Sequence, residues 1–532
     1  MKRKGSMLLW LLIGLFTMTI NGFADEKTPE NEFRVGMETA YAPFNWTQTT
    51  DANGAVLKNG EKGAYAGGYD VEMAKKIADG LGKDLVVVPI QWDGLVPALK
   101  SGKIDAIIAG MSPTEERRKE IDFTEPYYES DLVIVTQKNS DYADAQTLDD
   151  FKGAKITAQL NTFHYTVIDQ IPDVDKQQAM KDFSAMRVAL ASQTIDGYVS
   201  ERPEGVTASN VNKELKMIEF EDGNGFETQA EDVQVAVGMR KNDPDVQKTN
   251  EILATIPQEE RVKIMDEAVA NQPSATSEEE EPSLLQDFKT IIKQYGTLFL
   301  KGAGTTLLIA IISTVVGVLI GLLVGVFRTL PKSENVVLNF LQKVMNLLLT
   351  IYIEVFRGTP MMVQAMVIFY GFAMLFHWNM DRTFAALFIV SINTGAYMSE
   401  IVRGGIFSVD DGQFEAAQAI GMTHGQTMNK VVLPQVLRNI LPAIGNEAVI
   451  NIKDTAVLSV ISVGDLFFQG TAASGTNLQF FQTFTIIGAM YLVMTLTATG
   501  LLRLLEKKMD GPTAYKKSDT VIEEGEQEET NL

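Results

Sequence analysis

Apolar positions are spaced in two different ways along this chain. Between Phe33 and Asn271 they form short, β-branched runs at 85–90, 106–109 and 132–136, divided by polar stretches. Runs of that length and composition predict strands. Residues 71–81 instead repeat their apolar positions at helical spacing, with Asp70 placed to cap the helix N-terminus. Strands alternating with helices predict an α/β domain. From Leu298 onward the apolar runs lengthen to 298–327, 344–376, 384–401, 440–463 and 480–502, the second interrupted by Arg357-Gly358-Thr359-Pro360. Each is near or above the ~20 residues that cross ~30 Å of hydrocarbon, which predicts an all-α domain of five spans.

Charge orients those spans. With the N-terminal region outside, five crossings leave the C-terminus inside. The inner loops then carry Arg328, Lys332, Lys343, Arg403, Lys430, Arg438, Arg503, Lys507 and Lys508, and the outer loops only Arg382. That asymmetry obeys the positive-inside rule. Residues 25–281 hold 49 acidic and 26 basic residues, a net −23, so the external part accounts for the chain's net −22 and the rest is nearly balanced. Such acidity argues against nucleic acid as a partner and for a well-solvated surface.

The boundaries follow from composition. Lys2-Arg3-Lys4, an apolar stretch over 7–20 and the small residues around Gly22 and Ala24 predict a signal peptide over 1–24. An external soluble domain is expected over 25–271. Pro, Ser, Thr and a run of four Glu predict an acidic linker over 272–285. The membrane domain is expected over 286–510 and an acidic tail over 511–532. The 532 residues include no cysteine, which excludes disulfides, thiol catalysis and thiolate metal sites.

The loop between the third and fourth spans reads Glu415-Ala416-Ala417, then Gly421, then Val431-Val432-Leu433-Pro434. It resembles the E-A-A loop of bacterial ABC importer permeases, departing only in Val431 where Ile is usual. In this reading Ala-rich turns form a compact helix, Gly421 breaks it and Pro434 stops the second helix. The resemblance implies that Glu415, Ala416, Ala417, Gly421, Leu433 and Pro434 dock a cytoplasmic ATPase. No G-x-x-x-x-G-K-[ST] motif occurs, so ATP and Mg are expected on that separate subunit, with no cofactor or metal in this chain. A pathway of this type needs two five-span domains, and a homodimer supplies them. Arg357-Gly358-Thr359-Pro360 and Asn451-Ile452-Lys453-Asp454-Thr455 also resemble amino-acid permeases. Polar groups within spans, Glu354, Glu400 and Glu447 among them, either face a cavity or lie at span ends.

The external region carries its own set of motifs: Glu38-Thr39-Ala40-Tyr41-Ala42-Pro43-Phe44, Gly67-Gly68-Tyr69-Asp70, Trp92-Asp93-Gly94 and Gly110-Met111-Ser112-Pro113-Thr114-Glu115-Glu116-Arg117. In order and spacing these resemble the polar amino-acid binding proteins of ABC importers. The resemblance implies a two-lobed α/β, periplasmic-binding-protein-like (type II) domain. Its two crossings are expected at 133–137 and 233–239, with a free amino acid held between the lobes. It also implies Arg117, with Ser112 and the backbone at Gly110, on the ligand carboxylate, and Glu201 on the ammonium. Tyr41 and Trp92 would flank the side chain. Thr162 stands where the family has a Gly-Thr turn, but Asn161 and Phe163 replace the usual neighbours, which leaves its role open.

Glu38 and Gln159 are the expected selectors of the ligand side chain. A carboxylate beside aromatic rings suits Lys, Arg or His and repels glutamate. Glutamine is the alternative, since an amide N–H can donate to Glu38. An amino-acid-gated ion channel is the alternative from another class, because such channels share the binding fold. Their pore, however, interrupts the binding domain, which here is complete before the first span. Three histidines and no acid/base pair argue against an enzyme.

Overall fold

The computed structural model describes residues 31–509 apart from 60, 62, 222, 230–232, 274–283, 377–379 and 478. The expected signal peptide, most of the expected linker and the expected acidic tail lie outside the described residues. The chain divides into two compact units. One comprises Met1–Ile309, Thr359–Ile389 and Asp454–Tyr491, and the other Ala310–Gly358, Val390–Lys453 and Leu492–Leu532.

The first unit contains two α/β lobes. The strands in chain order are β1 (Glu32–Met37), β2 (Trp46–Gln48), β3 (Val56–Leu57), β4 (Tyr65–Gly67), β5 (Asp84–Pro89), β6 (Ala106–Ile107) and β7 (Asp122–Glu129). They continue with β8 (Leu132–Gln137), β9 (Lys155–Thr157), β10 (Asp175–Lys176), β11 (Gly197–Glu201), β12 (Leu215–Ile218) and β13 (Gln234–Met239). Lobe 1 is the sheet β5-β1-β6-β13-β7, and lobe 2 the sheet β10-β9-β11-β8-β12. Inner strands of such sheets are covered on both faces, and β1 fits that rule, with Phe33, Val35, Gly36 and Met37 all buried.

The chain leaves lobe 1 after β7 and enters lobe 2 at β8, then returns before β13. The Ser130 amide donates to the Val233 carbonyl at 3.0 Å, so the two crossings run side by side there. The first lies just ahead of the expected 133–137 and the second is reached at the first residue of the expected 233–239; the remainder of each stretch is a regular strand, β8 or β13. The helix Tyr69–Leu81 also differs in detail. Its N-cap is Gly68, at φ 119°, and Asp70 lies inside the helix. Tertiary partners claim the Asp70 carboxylate: Asn45 Nδ2 donates to it at 2.8 Å and the Tyr127 hydroxyl at 2.6 Å.

Four described helices are long and apolar enough to cross a membrane: Leu284–Arg328, Val336–Gly358, Arg382–Phe407 and Phe480–Leu504. A bent pair, His424–Ile461 with Leu466–Asn477, makes a fifth if it is one span. The expected second span is two helices. Val336–Gly358 is long enough alone, and Met361–Phe376 follows it. Pro360 explains the break, since it lacks an N–H and biases Thr359 away from helix. Helix Leu466–Asn477 was absent from the sequence expectation, being short and rich in Gly, Ser and Thr.

The second unit accounts for two of the polar positions. Asn451 Nδ2 donates to Thr314 Oγ1 at 2.8 Å and to Thr394 Oγ1 at 3.0 Å. Glu400 pairs with Arg328 and, at 2.7 Å, with Arg403. These groups are satisfied within the helix bundle, as buried polar groups require.

Candidate functional site

All nine expected ligand contacts converge. Tyr41, Trp92, Gly110, Ser112, Arg117, Gln159, Thr162 and Glu201 line one pocket between the lobes, together with Phe163 and His164. Glu38 lines an adjoining pocket that shares Tyr41 and Gln159 with the first. The fold explains the convergence. Glu38 and Tyr41 follow the end of β1, Gly110 and Ser112 follow β6, and Glu201 ends β11. Side chains at strand ends on both lobes therefore face one cleft. Gly110 has φ +64°, and a Cβ there would stand 2.7 Å from Tyr41 Cε1, so only glycine lets that ring close down.

One end of this pocket is built around Arg117. Its Nη1 donates to the Ser112 carbonyl at 2.9 Å and its Nη2 to the Asn161 carbonyl at 3.1 Å. Burial lowers the guanidinium to about 10, still cationic at neutral pH. A partly buried Arg whose hydrogen bonds go to neutral carbonyls keeps its positive charge for an anion. Trp92 sits differently from expectation. The Arg117 guanidinium carbon lies 5.1 Å from its ring centroid, so Trp92 supports the arginine. Tyr41 stacks on Phe183 of lobe 2, with centroids 4.9 Å apart and planes within 3°, and on Phe44, with centroids 5.1 Å apart.

Glu201, 4 % exposed, lines the same pocket from lobe 2. The Tyr41 hydroxyl donates to Oε2, and His164 Nε2 lies 3.1 Å from Oε1. Burial acts to raise this carboxyl, but His164 and the Tyr41 hydroxyl outweigh it and hold Glu201 below the usual carboxylate range. Burial of the Tyr41 hydroxyl and the Glu201 charge push Tyr41 well up, so it remains a donor. Thr162 uses its hydroxyl locally, donating to the Gln159 carbonyl at 2.7 Å.

The side-chain end holds a second carboxylate that sequence reasoning missed. Asp182 lines the pocket beside Glu38, and so do Lys181 and Phe183. Burial of its carboxyl, and next the nearby Asp182, push Glu38 up to about 8. Asp182 also caps the helix Phe183–Ala191, accepting from the Ala185 amide at 2.9 Å. Gln159 donates from Nε2 to the Lys181 carbonyl at 3.3 Å, tying the selector to this loop.

The expected docking loop is formed by local rules. Helix Asp411–Ala419 starts at Asp410, whose side chain accepts from the Gly412 amide at 2.7 Å. Gly421, at φ +78°, reverses the chain. Helix His424–Thr427 begins with a Thr423–Gln426 capping box. Two expectations are corrected here. Pro434 does not stop a helix. It lies in the first turn of helix Leu433–Asp454, after a π-helical turn at Met428–Val432. The helical run from His424 is continuous through that π turn, which interrupts the regular i→i−4 ladder directly before the proline, where its N–H is missing. Ala417 is buried and faces inward with Phe414, three residues before it on the same helix face, so it offers no contact to a partner. Leu433 also packs on the apolar cluster of this unit. Glu415, Ala416, Gly421 and Pro434 are exposed.

Comparison with known proteins matches two separate parts of the chain. Residues 33–269 match the family model of bacterial extracellular solute-binding proteins, family 3. Residues 317–511 match that of the binding-protein-dependent transport system inner membrane component. The chain is 33 % identical over 223 residues to the arginine transport system permease protein ArtQ of Bacillus subtilis (strain 168), covering 42 % of this chain and 97 % of that protein. It is 37 % identical over 213 residues to the glutamine transport system permease protein GlnP of Escherichia coli (strain K12), covering 40 % and 93 %. The other half is 33 % identical over 234 residues to a probable histidine-binding protein of Campylobacter jejuni, covering 42 % and 85 %.

Proposed function

The chain belongs to the polar amino-acid ABC importer family, with a solute-binding protein and a permease fused in one polypeptide, and from that premise we propose that it takes up basic amino acids. It is a multi-pass membrane transporter subunit and not an enzyme; a separate ATPase subunit hydrolyses ATP. An ion channel has no support among its relatives.

One observation carries the substrate reading: the Glu38–Asp182 pair of carboxylates where the ligand side chain would lie. Two acids in one pocket favour a cation and disfavour an anion. Lys181 offsets one of those charges, but it is exposed. Arg117 would then hold the α-carboxylate and Glu201 the α-ammonium. Each comes from a different lobe, so a zwitterion draws the lobes together. Tyr41 and Phe183 supply apolar area for the side-chain stem.

Glutamine is the second reading, and Glu38 itself favours it. A carboxyl titrating at about 8 is largely protonated at neutral pH and can exchange hydrogen bonds with an amide without charge. In both readings the binding domain, 25–271, lies outside and the C-terminus inside. Two copies of the permease domain, 286–510, form the pathway, and ATPase subunits carrying ATP and Mg dock at the Glu415 loop. Calorimetry of the full chain in nanodiscs against the standard amino acids tests the substrate. Tight binding of Lys, Arg or His supports the first reading, and of glutamine alone the second. Binding by no amino acid defeats both.

A further inference from the structure

The short helix Leu466–Asn477 lies within the same compact unit as both lobes of the binding domain. Ten of its residues are buried, although it was invisible as a sequence span. It packs against β2 of lobe 1 and against the Phe183–Ala191 helix of lobe 2. Its Phe468, Thr471 and Ala472 complete the wall of the pocket that holds Glu38 and Asp182. It therefore lies across the side-chain end of the cleft, touching both lobes. The approach is close: a Cβ on Gly475 would stand 2.6 Å from the Ala40 carbonyl oxygen, between Glu38 and Tyr41 in sequence.

A buried ionic network ties this helix to the ligand loop. Lys58 has no side-chain exposure and pairs with Glu61 at 2.9 Å. Gln469 Nε2 donates to the same Glu61 oxygen at 3.1 Å. On its other side Lys58 Nζ donates to Thr47 Oγ1 at 3.1 Å, and Thr47 Oγ1 donates to the Thr39 carbonyl at 2.8 Å. Thr39 sits between Glu38 and Ala40 at φ +55°, a conformation unfavourable for a β-branched residue. The Thr47 amide also donates to Thr476 Oγ1 at 3.2 Å. A buried ion pair contributes little net stability against an apolar substitute, so its presence at this contact calls for another reason.

We infer that Lys58, Glu61 and Gln469 are positioning residues that couple the ligand loop of lobe 1 to the Leu466–Asn477 helix, and that this helix reports cleft closure to the permease. The inference rests on the amino-acid importer reading but names residues outside the ligand site. Both ends of the relay are fixed by hydrogen bonds, so a shift at Thr39 moves the helix rather than dissipating in solvent. A second contact seats lobe 1: Lys103 Nζ lies 3.6 Å from the Phe369 ring centroid and 3.4 Å from the Met380 carbonyl oxygen.

The test uses the full chain with its co-purifying ATPase in nanodiscs. Affinity and stimulation of ATP hydrolysis are measured with L-arginine, L-lysine, L-histidine and L-glutamine in turn. Two variants are compared, Gln469→Ala and the double Lys58→Met/Glu61→Leu, the second replacing the buried pair by apolar groups so that neither charge is stranded. The expected result is affinity within about twofold of the parent and at least a fivefold loss of ligand-stimulated over basal hydrolysis, because the relay and not the ligand site is cut. Unchanged stimulation in both variants overturns the coupling role, as does recovery of stimulation in the double variant, which marks the pair as structural. A parent protein that binds none of the four amino acids would instead sink the importer substrate reading.

Discussion

His164 Nε2 lies 3.1 Å from Glu201 Oε1, and each side chain is only 5 % exposed. The second carboxylate oxygen takes the Tyr41 hydroxyl from the opposite lobe. Glu201 is thus charged, buried and held by side chains of both lobes. Pre-positioning of this kind lowers the ordering cost of binding. Glu201→Gln keeps the shape and removes the charge. The expected loss is about 1.5–3 kcal/mol of affinity, the value of a hydrogen bond to a charged group. Calorimetry of the full chain measures it, and parent-like affinity would take Glu201 out of the site.

Arg117 is the counterpart on lobe 1. Its two side-chain hydrogen bonds go to carbonyl oxygens, and among the described residues no carboxylate pairs with it. Arg117→Ala would leave a ligand carboxylate enclosed without a cation, at a cost of about 2–5 kcal/mol. Arg117→Lys restores charge without the planar fork and should recover only part of the loss. Equal affinity for Lys and Arg at this position would show that only charge matters there.

Much of this site is legible in the sequence, for a physical reason. Glu38, Tyr41, Gly110 and Ser112 follow the ends of neighbouring strands β1 and β6, so short motifs reach the cleft together. Asp182 and Phe183 are different. Their loop reaches the cleft through the isolated parallel bridge Gln159↔Met180, a tertiary pairing that no local motif announces. Asp70 shows the converse. An acid before a helical run reads as a cap, but Asn45 and Tyr127 draw it into the core instead. Helix Leu466–Asn477 escaped because twelve residues are too few to span a bilayer, although a bend of 56° joins it to a longer segment.

The exposed face of the docking loop makes a prediction independent of ligand. Glu415 and Ala416 are exposed, and Ile420, immediately before the reversal at Gly421, is 74 % exposed. An apolar side chain of that exposure beside an acid suits a partner surface. Glu415→Arg should leave amino-acid affinity unchanged and abolish co-purification of the ATPase. The inward-facing Ala417→Leu should instead destabilise the permease fold by overpacking, about 1–3 kcal/mol. Normal ATPase recovery with Glu415→Arg would count against this loop as the docking element.

Glu38 makes the substrate question answerable by pH. Burial and Asp182 raise its carboxyl from the ordinary 4.5 to about 8, so the ligand-free cleft carries a proton there at neutral pH. A cationic side chain binds the deprotonated form best and must displace that proton. Affinity for arginine or lysine should therefore climb as pH rises from about 5 toward 8, by up to about tenfold per pH unit, and then level off. Calorimetry at pH 7 in buffers of different ionisation enthalpy should show net proton release on binding. Stability moves in the opposite direction. A raised carboxyl stabilises the ligand-free fold fully below 4.5, and that contribution is lost as pH climbs through about 8. The Tm shift produced by a basic ligand should widen accordingly across the same window. Glu38→Gln should flatten both trends and weaken basic ligands more than glutamine. A pH-independent affinity in the parent protein, with equal losses for both ligand classes in the variant, would remove Glu38 as the charge selector.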